Sequence, residues 1–66
     1  MKIEEIFNKE NIGKQYRFSN YEDKAIYTLG LYPCGKLHLV NENNETIDQV
    51  NHLQDIVTCE FEEVKK

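Results

Sequence analysis

The chain has 66 residues, two cysteines, no tryptophan and a formal net charge of −4 at pH 7. A chain of this length forms one domain at most, and it buries only about 60% of the surface that its unfolded form exposes. We therefore expect a single domain over residues 1–66, with a thin core that needs support from a disulfide, a metal or a partner subunit.

The charge is unevenly distributed. Residues 1–20 carry four basic and three acidic side chains, whereas residues 41–66 carry two basic and seven acidic ones. Binding to the phosphate backbone of a nucleic acid needs several lysines or arginines on one face. The composition therefore argues against nucleic acid as the main partner, and it is too mildly acidic for a nucleic-acid mimic.

The sequence gives little evidence for a disulfide, a metal site or a membrane span. Cys34 and Cys59 can form one disulfide at most, and together with His38 and His52 they show no zinc-ligand spacing. No apolar run approaches the roughly 20 residues of a membrane span, and the N-terminal segment lacks the apolar stretch of a signal peptide. We expect reduced cysteines, no metal, no cofactor, no membrane association, a cytoplasmic location and a homo-oligomer.

The first predicted element is a short amphipathic helix at the N-terminus. Ile3, Ile6 and Phe7 lie at positions i, i+3 and i+4, which is the spacing of one helical face. The helix should end near Gly13, which can adopt the left-handed conformation that closes helices. Residues 15–19 then alternate polar and aromatic side chains, as a half-buried strand does.

The middle of the chain predicts a hairpin. Residues 20–24 form a polar turn, and residues 25–32 and 36–41 form the second and third strands. Pro33 and Gly35 in the connection are ordinary turn residues. The asparagine-rich segment that follows predicts a tight loop before a short fourth strand at residues 46–49.

The last predicted elements are a single helical turn capped by Asn51 and a fifth strand, in which Val57, Cys59 and Phe61 alternate with polar residues. Five short strands with hairpin connections predict a mostly β domain, a short N-terminal helix followed by a five-stranded antiparallel SH3-like small barrel. An α+β sheet with the helix on one face is the alternative.

Catalytic patterns are scarce, and we predict that the protein is not an enzyme. Ser19 is the only serine and lacks the glycine-flanked elbow of a nucleophile. Cys34 lies four residues from His38, but no third group is evident to orient the histidine. The three glycines are scattered, so no phosphate loop exists. An incidental thiol is the simpler interpretation of Cys34.

One aromatic and basic set remains as a candidate ligand site. Small barrels stack bases on aromatic side chains, and a guanidinium grips phosphate in a fork. Tyr16, Phe18 and Tyr27 are favoured as core residues, because a thin domain needs its aromatic side chains for burial. The predicted ligand-binding residues are Arg17, Tyr21, Lys14, Asn20 and His38.

Two segments resemble a known family. Residues 55–64, DIVTCEFEEV, resemble the closing segment of small proteins from phages of Gram-positive bacteria, which end in a DLLAxDWExV pattern. Residues 3–6 and 13–16 are similar to the helix and Gly-Lys-x-Val strand with which those proteins begin. The group includes Thoeris anti-defence proteins, SH3-like oligomers that sequester a cyclic ADP-ribose signal. Phe61 stands where the family commonly has tryptophan.

The resemblance implies a phage or mobile-element protein that binds and sequesters a nucleotide-derived immune signal of the host. Two alternatives stay open. One is an inhibitor of a host defence protein such as a nuclease, docking through an edge strand or through the acidic face of Glu60, Glu62 and Glu63. The other is a nucleic-acid-binding small barrel, which would need a continuous basic groove.

Overall fold

The computed structural model describes residues 1–19 and 25–65. Within these residues the chain forms three short α-helices, one 3-10 turn and a four-stranded antiparallel sheet. In chain order the elements are α1 (Ile3–Ile6), the 3-10 turn (Lys9–Asn11), β1 (Gln15–Phe18), β2 (Tyr27–Leu31), β3 (Leu37–Val40), α2 (Ile47–Val50), α3 (Leu53–Thr58) and β4 (Phe61–Glu63). The predicted turn at residues 20–24 lies outside the described residues.

The N-terminal helix leads into the sheet through two local signals. The side chain of Asn8 accepts a hydrogen bond from the Glu10 amide (3.1 Å) and so caps the 3-10 turn. Gly13 follows with a φ of +92°, as the sequence predicted. Its amide donates to the Leu29 carbonyl (2.8 Å), which aligns β1 beside β2.

The strand order is β3-β2-β1-β4, so β3 and β4 are the two edges of the sheet. The β2–β3 hairpin closes through the Tyr32 amide, which donates to the Lys36 carbonyl (2.7 Å). Gly35 supplies the positive φ of +93° that the turn requires. The predicted hairpin is therefore confirmed, with β2 and β3 slightly shorter than expected.

The core lies on one face of the sheet. Alternate residues of all four strands point to this face, and one isoleucine from each α-helix joins them. The buried set is Ile6, Tyr16, Phe18, Tyr27, Leu29, Leu39, Ile47, Ile56 and Phe61. The ring of Phe18 lies 4.5 Å from that of Phe61 and 6.3 Å, edge on, from that of Tyr27. The prediction that Tyr16, Phe18 and Tyr27 are core residues is confirmed.

The predicted five-stranded barrel is wrong. The sheet has four strands over the described residues and stays open, so the domain is α+β, the alternative that the sequence left. Residues 46–49 form the start of α2 rather than a strand, because Thr46 and Gln49 make a capping box in which the Thr46 amide donates to Gln49 Oε1 (2.9 Å). Without a fifth strand the sheet cannot close on itself.

The last predicted strand began too early. Leu53, Ile56 and Val57 have helical as well as alternating spacing, and the helix buries Ile56 in the core. Residues 57 and 58 therefore end α3, and only Phe61–Glu63 form β4. Among the described residues, no helix has the length and apolar character needed to cross a membrane.

Candidate functional site

The structure pairs Arg17 with an acidic neighbour. Arg17 lies on the sheet face opposite the core, directly across from Glu62 on β4. Its Nε donates to Glu62 Oε1 at 2.7 Å, and both side chains are a little under half exposed. This ion pair would have to open, or Glu62 would have to move, before Arg17 could grip a phosphate.

The other predicted ligand residues do not converge on Arg17. Lys14 Nζ donates to Asn11 Oδ1 at 3.2 Å, at the end of the 3-10 turn. His38 shares the open face of the sheet with Arg17 but lies two strands away, on β3. Asn20 and Tyr21 lie outside the described residues. The described members of the predicted set therefore occupy three separate places.

His38 instead belongs to an aromatic cluster at the β3 edge. Its ring lies over Gly30, where an added Cβ would come within 2.7 Å of His38 Cε1. The ring of Tyr32 lies 4.4 Å away, tilted by 59°. The Nδ1 atom of His38 is buried, with no hydrogen-bond partner among the described residues.

One position of the β3 edge is accessible beside this cluster. The backbone of Leu29 bonds to Gly13 and Lys14 on the β1 side, so residues 28 and 30 of β2 bond toward β3, where their partners are Val40 and His38. Antiparallel strands alternate inward and outward groups, so the amides of Leu37 and Leu39 point away from the sheet. Leu39 is only 1% exposed, so its backbone is buried, whereas Leu37 is partly exposed. We call this edge position, Leu37, the open edge.

A bridge ends the open edge at one side. Val40 pairs with Thr46, and the Asn41 amide donates to the Glu45 carbonyl (2.9 Å). The turn between them is fixed by Asn41, whose Oδ1 accepts from the amides of Asn43 and Glu45, both at 2.9 Å. The open edge is therefore short, and its length is set by rigid local structure.

A cavity of about 270 Å³ runs beside the open edge, between the inner face of the sheet and the helices. We call it the edge groove. Ile3 and Phe7 line one side, and the hairpin residues Tyr32, Leu37 and His38 line the other. The ring of His38 itself lies over Gly30, on the face of the sheet opposite the core. Ile47 and Ile56 line its base, and Thr46 and Asp48 stand at its α2 end. Phe7 and Tyr32 are each about 40% exposed, which is unusual for large aromatic side chains in a domain with a thin core.

Asp48 is the one formally charged side chain among the described residues that line the edge groove. It is exposed in the first turn of α2, and none of the ion pairs among the described residues involves it. The described lining includes no lysine or arginine. It therefore offers apolar side chains, among them that of Phe7, and one carboxylate.

The opposite edge of the sheet is protected. The Phe61 amide donates to the Met1 carbonyl (2.7 Å), and the Met1 ammonium donates to the Phe61 carbonyl (2.8 Å). Glu60 pairs with that ammonium (3.0 Å) and with Lys2 Nζ (3.3 Å). These two hydrogen-bond donors, the ammonium first, hold the pKa of the Glu60 carboxyl below its usual value. We call this side of β4 the protected edge.

The acidic face proposed from the sequence is largely neutralised. Glu60 pairs with Lys2, and Glu62 pairs with Arg17. Cys34 is exposed at the hairpin tip, Cys59 is partly buried against the core, and neither is bonded in a disulfide. Among the described residues, no cluster of three or more His, Cys, Asp or Glu side chains could hold a metal ion.

Comparisons with protein-family models, with curated proteins and with solved structures find no match to this chain. The resemblance to Thoeris anti-defence proteins therefore stays a prediction.

Sequence reasoning missed most of the edge groove. His38 was among the predicted ligand residues, but Phe7 was taken only as part of a helical face. Asp48 was placed in a strand, which hid its position at the end of the cavity. The missing signal was the capping box at Thr46 and Gln49, which moves Asp48 to a helix start beside β3.

Proposed function

We propose that this domain is a protein-binding module that captures an extended segment of a partner by adding it as a strand to β3. The observation that carries the proposal is the open edge lying directly beside the edge groove. In this mode of recognition main-chain hydrogen bonds supply affinity, and pockets for alternate side chains supply specificity. The domain offers both elements at one place.

Two features of the open edge support this proposal. Unpaired edge strands attract other chains, and natural proteins usually protect them with charges, proline or a bulge. Leu37 is an apolar residue and provides none of these. The protected edge shows that this chain covers an edge elsewhere, so the accessible position on β3 stands in contrast to it.

The resemblance to phage proteins suggests the kind of partner. On that hypothesis the captured segment belongs to a host defence protein such as a nuclease, and capture inhibits it. The domain then acts as an inhibitor by occupancy, without catalysis, which is consistent with the absence of a catalytic pattern in the sequence.

A peptide selection tests the proposal. Random heptapeptides displayed on phage are selected on the immobilised protein, and the binders are synthesised and titrated by fluorescence anisotropy. Leu37→Pro removes the outward amide at an edge position that tolerates proline, and Leu37→Ala is the matched control that loses the side chain but keeps the amide. We expect Leu37→Pro to bind the selected peptides at least about tenfold more weakly than Leu37→Ala does. A tenfold loss corresponds to about 1.4 kcal/mol, which is within the range of one hydrogen bond between uncharged groups.

Amide hydrogen exchange gives the structural readout. The amide of Leu37 should exchange quickly in the free protein and become protected when a selected peptide binds, whereas the amide of the buried Leu39 should exchange slowly in both states. Equal binding by the two Leu37 variants, or binding that protects the exposed α3 face of Leu53 and Val57 instead, would overturn the proposal. A dimer that Leu37→Pro converts to a monomer in light scattering would make a second copy of the chain the occupant and would overturn it as well.

The nucleotide-signal hypothesis is the second candidate, and the structure supports it less. Among the described residues that line the edge groove, a phosphate-bearing ligand would meet Asp48 and no lysine or arginine. On the open face of the sheet, the described candidate Arg17 is already paired with Glu62.

Titration calorimetry against cyclic ADP-ribose isomers and cyclic di- and trinucleotides separates the two candidates. Strand capture predicts no binding of these compounds at micromolar concentration. Micromolar binding that Arg17→Ala weakens would favour the hypothesis that the protein sequesters a nucleotide signal. Glu62→Ala is the matched control, because it frees Arg17 without removing it.

A further inference from the structure

Resting on the proposed function, we infer that the captured segment contains a large apolar residue followed directly by an aspartate or a glutamate. The apolar residue pairs with Leu37 and places its side chain in the edge groove. The acidic residue lies across from Lys36, on the other face of the sheet. This recognition uses one accessible edge position and the residue before it.

The pairing at Leu37 fixes the register of the segment. The Tyr32 amide donates to the Lys36 carbonyl (2.7 Å), so Lys36 directs its main-chain groups toward β2. Inward and outward positions alternate along an antiparallel strand, so the amide and the carbonyl of Leu37 both point outward. One residue of an added strand can exchange two hydrogen bonds with these groups. Farther along β3, the bridge at Val40 covers the edge, which confines the pairing to the hairpin end.

The edge groove receives the side chain of the residue that pairs with Leu37. Residues directly opposite each other on neighbouring strands have their side chains on the same face of the sheet. Leu37 packs against the core and lines the groove, so the residue opposite it also projects toward the groove. A cavity of about 150 Å³ lined by apolar side chains binds benzene, and the edge groove has about 270 Å³. A phenylalanine, leucine or methionine side chain therefore has room there.

The lining of the groove selects an apolar side chain at this position. Ile3 and Phe7 line one side, and Ile47 and Ile56 line the base. The ring of Phe7 is about 40% exposed, so it loses contact with water when a side chain enters. Removal of apolar surface from water is the main favourable contribution to most protein association. An acidic side chain in the groove would instead meet the carboxylate of Asp48.

Lys36 sets the preference at the next position of the segment. It is exposed directly before β3, and none of the ion pairs among the described residues involves it. Successive side chains of a strand point to opposite faces, so Lys36 and the residue across from it lie on the face away from the groove. Opposite charges directly across from each other on neighbouring strands stabilise the pairing, and like charges weaken it. An acidic side chain is therefore favoured here.

The order of the two residues follows from strand direction. Every strand pair among the described residues is antiparallel. Leu37 follows Lys36 in the chain, so in an antiparallel segment the residue across from Lys36 follows the residue across from Leu37. The inferred sequence is therefore apolar and then acidic, with no residue between them.

The peptides from the selection described above test the acidic position. We expect a large apolar residue followed directly by aspartate or glutamate. The best such peptide should bind Lys36→Gln about two- to fivefold more weakly than the wild type, as for the loss of an exposed ion pair. Selection on Lys36→Glu should replace the acidic residue by lysine or arginine at the same position. Lys65→Gln is the matched control, because it removes one exposed lysine beside β4, at the other end of the sheet, and it should bind like the wild type.

Phe7→Ala tests the apolar position. It should weaken binding of the same peptide about three- to tenfold, because the entering side chain loses apolar contact with the ring. Leu53→Ala is the matched control, since it removes an exposed apolar side chain outside the groove lining, and it should bind like the wild type. Replacement of the apolar peptide residue by alanine gives a second measurement on the unaltered protein, and it should weaken binding at least as much.

The failures can be told apart. Three results overturn this inference and leave strand capture standing: peptides that need the Leu37 amide but lack the apolar and acidic pair, peptides that carry the pair in reverse order, and binding to Lys36→Gln or Phe7→Ala as tight as to the wild type. Peptides that bind equally to Leu37→Pro and Leu37→Ala, or a selection without binders, overturn strand capture and this inference together.

Discussion

The two edges of the sheet differ in how their backbone groups are satisfied. At the protected edge, Phe61 exchanges hydrogen bonds with Met1, and Glu60 holds two cationic groups beside them. At the open edge, Leu37 is partly exposed and its amide points away from the sheet, while Leu39 beside it is buried. The two edges of one sheet therefore differ in how far they are covered, and the proposed capture of a partner strand rests on that difference.

The largest expected effect comes from breaking the protected edge. Phe61 is buried and in ring contact with Phe18, so Phe61→Ala should lower the free energy of unfolding by about 3–5 kcal/mol. At the open edge, Leu37 is only partly buried, so Leu37→Ala should lower the free energy of unfolding by less, about 1–2 kcal/mol. Urea denaturation followed by circular dichroism measures both. Equal losses would mean that the two edges contribute equally to stability.

Alkaline pH should loosen the protected edge selectively. Burial, and then the neighbouring carboxylate of Glu63, raises the pKa of Tyr16. Tyrosine in the unfolded chain ionises near about pH 10, so this stabilising contribution is complete below that pH and declines as the pH rises toward the folded pKa. Tyr16→Phe should make the alkaline decline of the melting temperature shallower, and Glu63→Gln should do so in part. An unchanged slope in Tyr16→Phe would contradict the assignment.

A smaller effect is expected where the His38 ring packs against Gly30. Gly30→Ala places a Cβ within 2.7 Å of His38 Cε1, so the ring must move away from Tyr32, at a cost of about 1 kcal/mol. In a His38→Ala background the same substitution should cost nothing. A double-mutant cycle by urea denaturation measures the coupling. Additive effects would show that the ring is not held against Gly30.

The smallest effect is expected at the hairpin tip. Cys34 is exposed, so Cys34→Ser should change stability by less than about 0.5 kcal/mol and leave peptide binding intact. Cys59 packs partly against the core near the protected edge, and Cys59→Ser should cost about 1 kcal/mol. Loss of binding in a folded Cys34→Ser variant would reopen a chemical role for this thiol.

Local signals predicted the parts of the fold that depend on neighbouring residues. The turns at Gly13 and Gly35 and the burial of Tyr16 and Tyr27 followed from turn chemistry and period-two alternation. Residues 46–49 and 57–58 were misassigned to strands because their apolar residues fit both periods, and the capping box at Thr46 and the packing of Ile47 and Ile56 against the sheet decide for helix. Helix and strand cannot be separated in so short a segment from spacing alone.

The candidate site was less predictable than the fold. The sequence identified His38 as a candidate ligand residue. Its neighbours Gly30 and Tyr32 could not be predicted, because they contact His38 only when β2 and β3 pair in the observed register. The partner of Arg17 was hidden for the same reason, since Glu62 lies 45 positions away. The edge groove lies between α1 and the hairpin, and no sequence spacing places those two elements side by side.

The strand order also has a consequence for how the sheet forms. The β2–β3 hairpin brings Gly30 and His38 together across a short loop, whereas β1 and β4 must meet across the 45 positions between Arg17 and Glu62. Closing the longer loop costs about 1.5 kcal/mol more in chain entropy, since each doubling of length adds about 0.6 kcal/mol. Local pairings form faster than distant ones. During folding, β3 is therefore expected to pair with β2 before β4 completes the sheet.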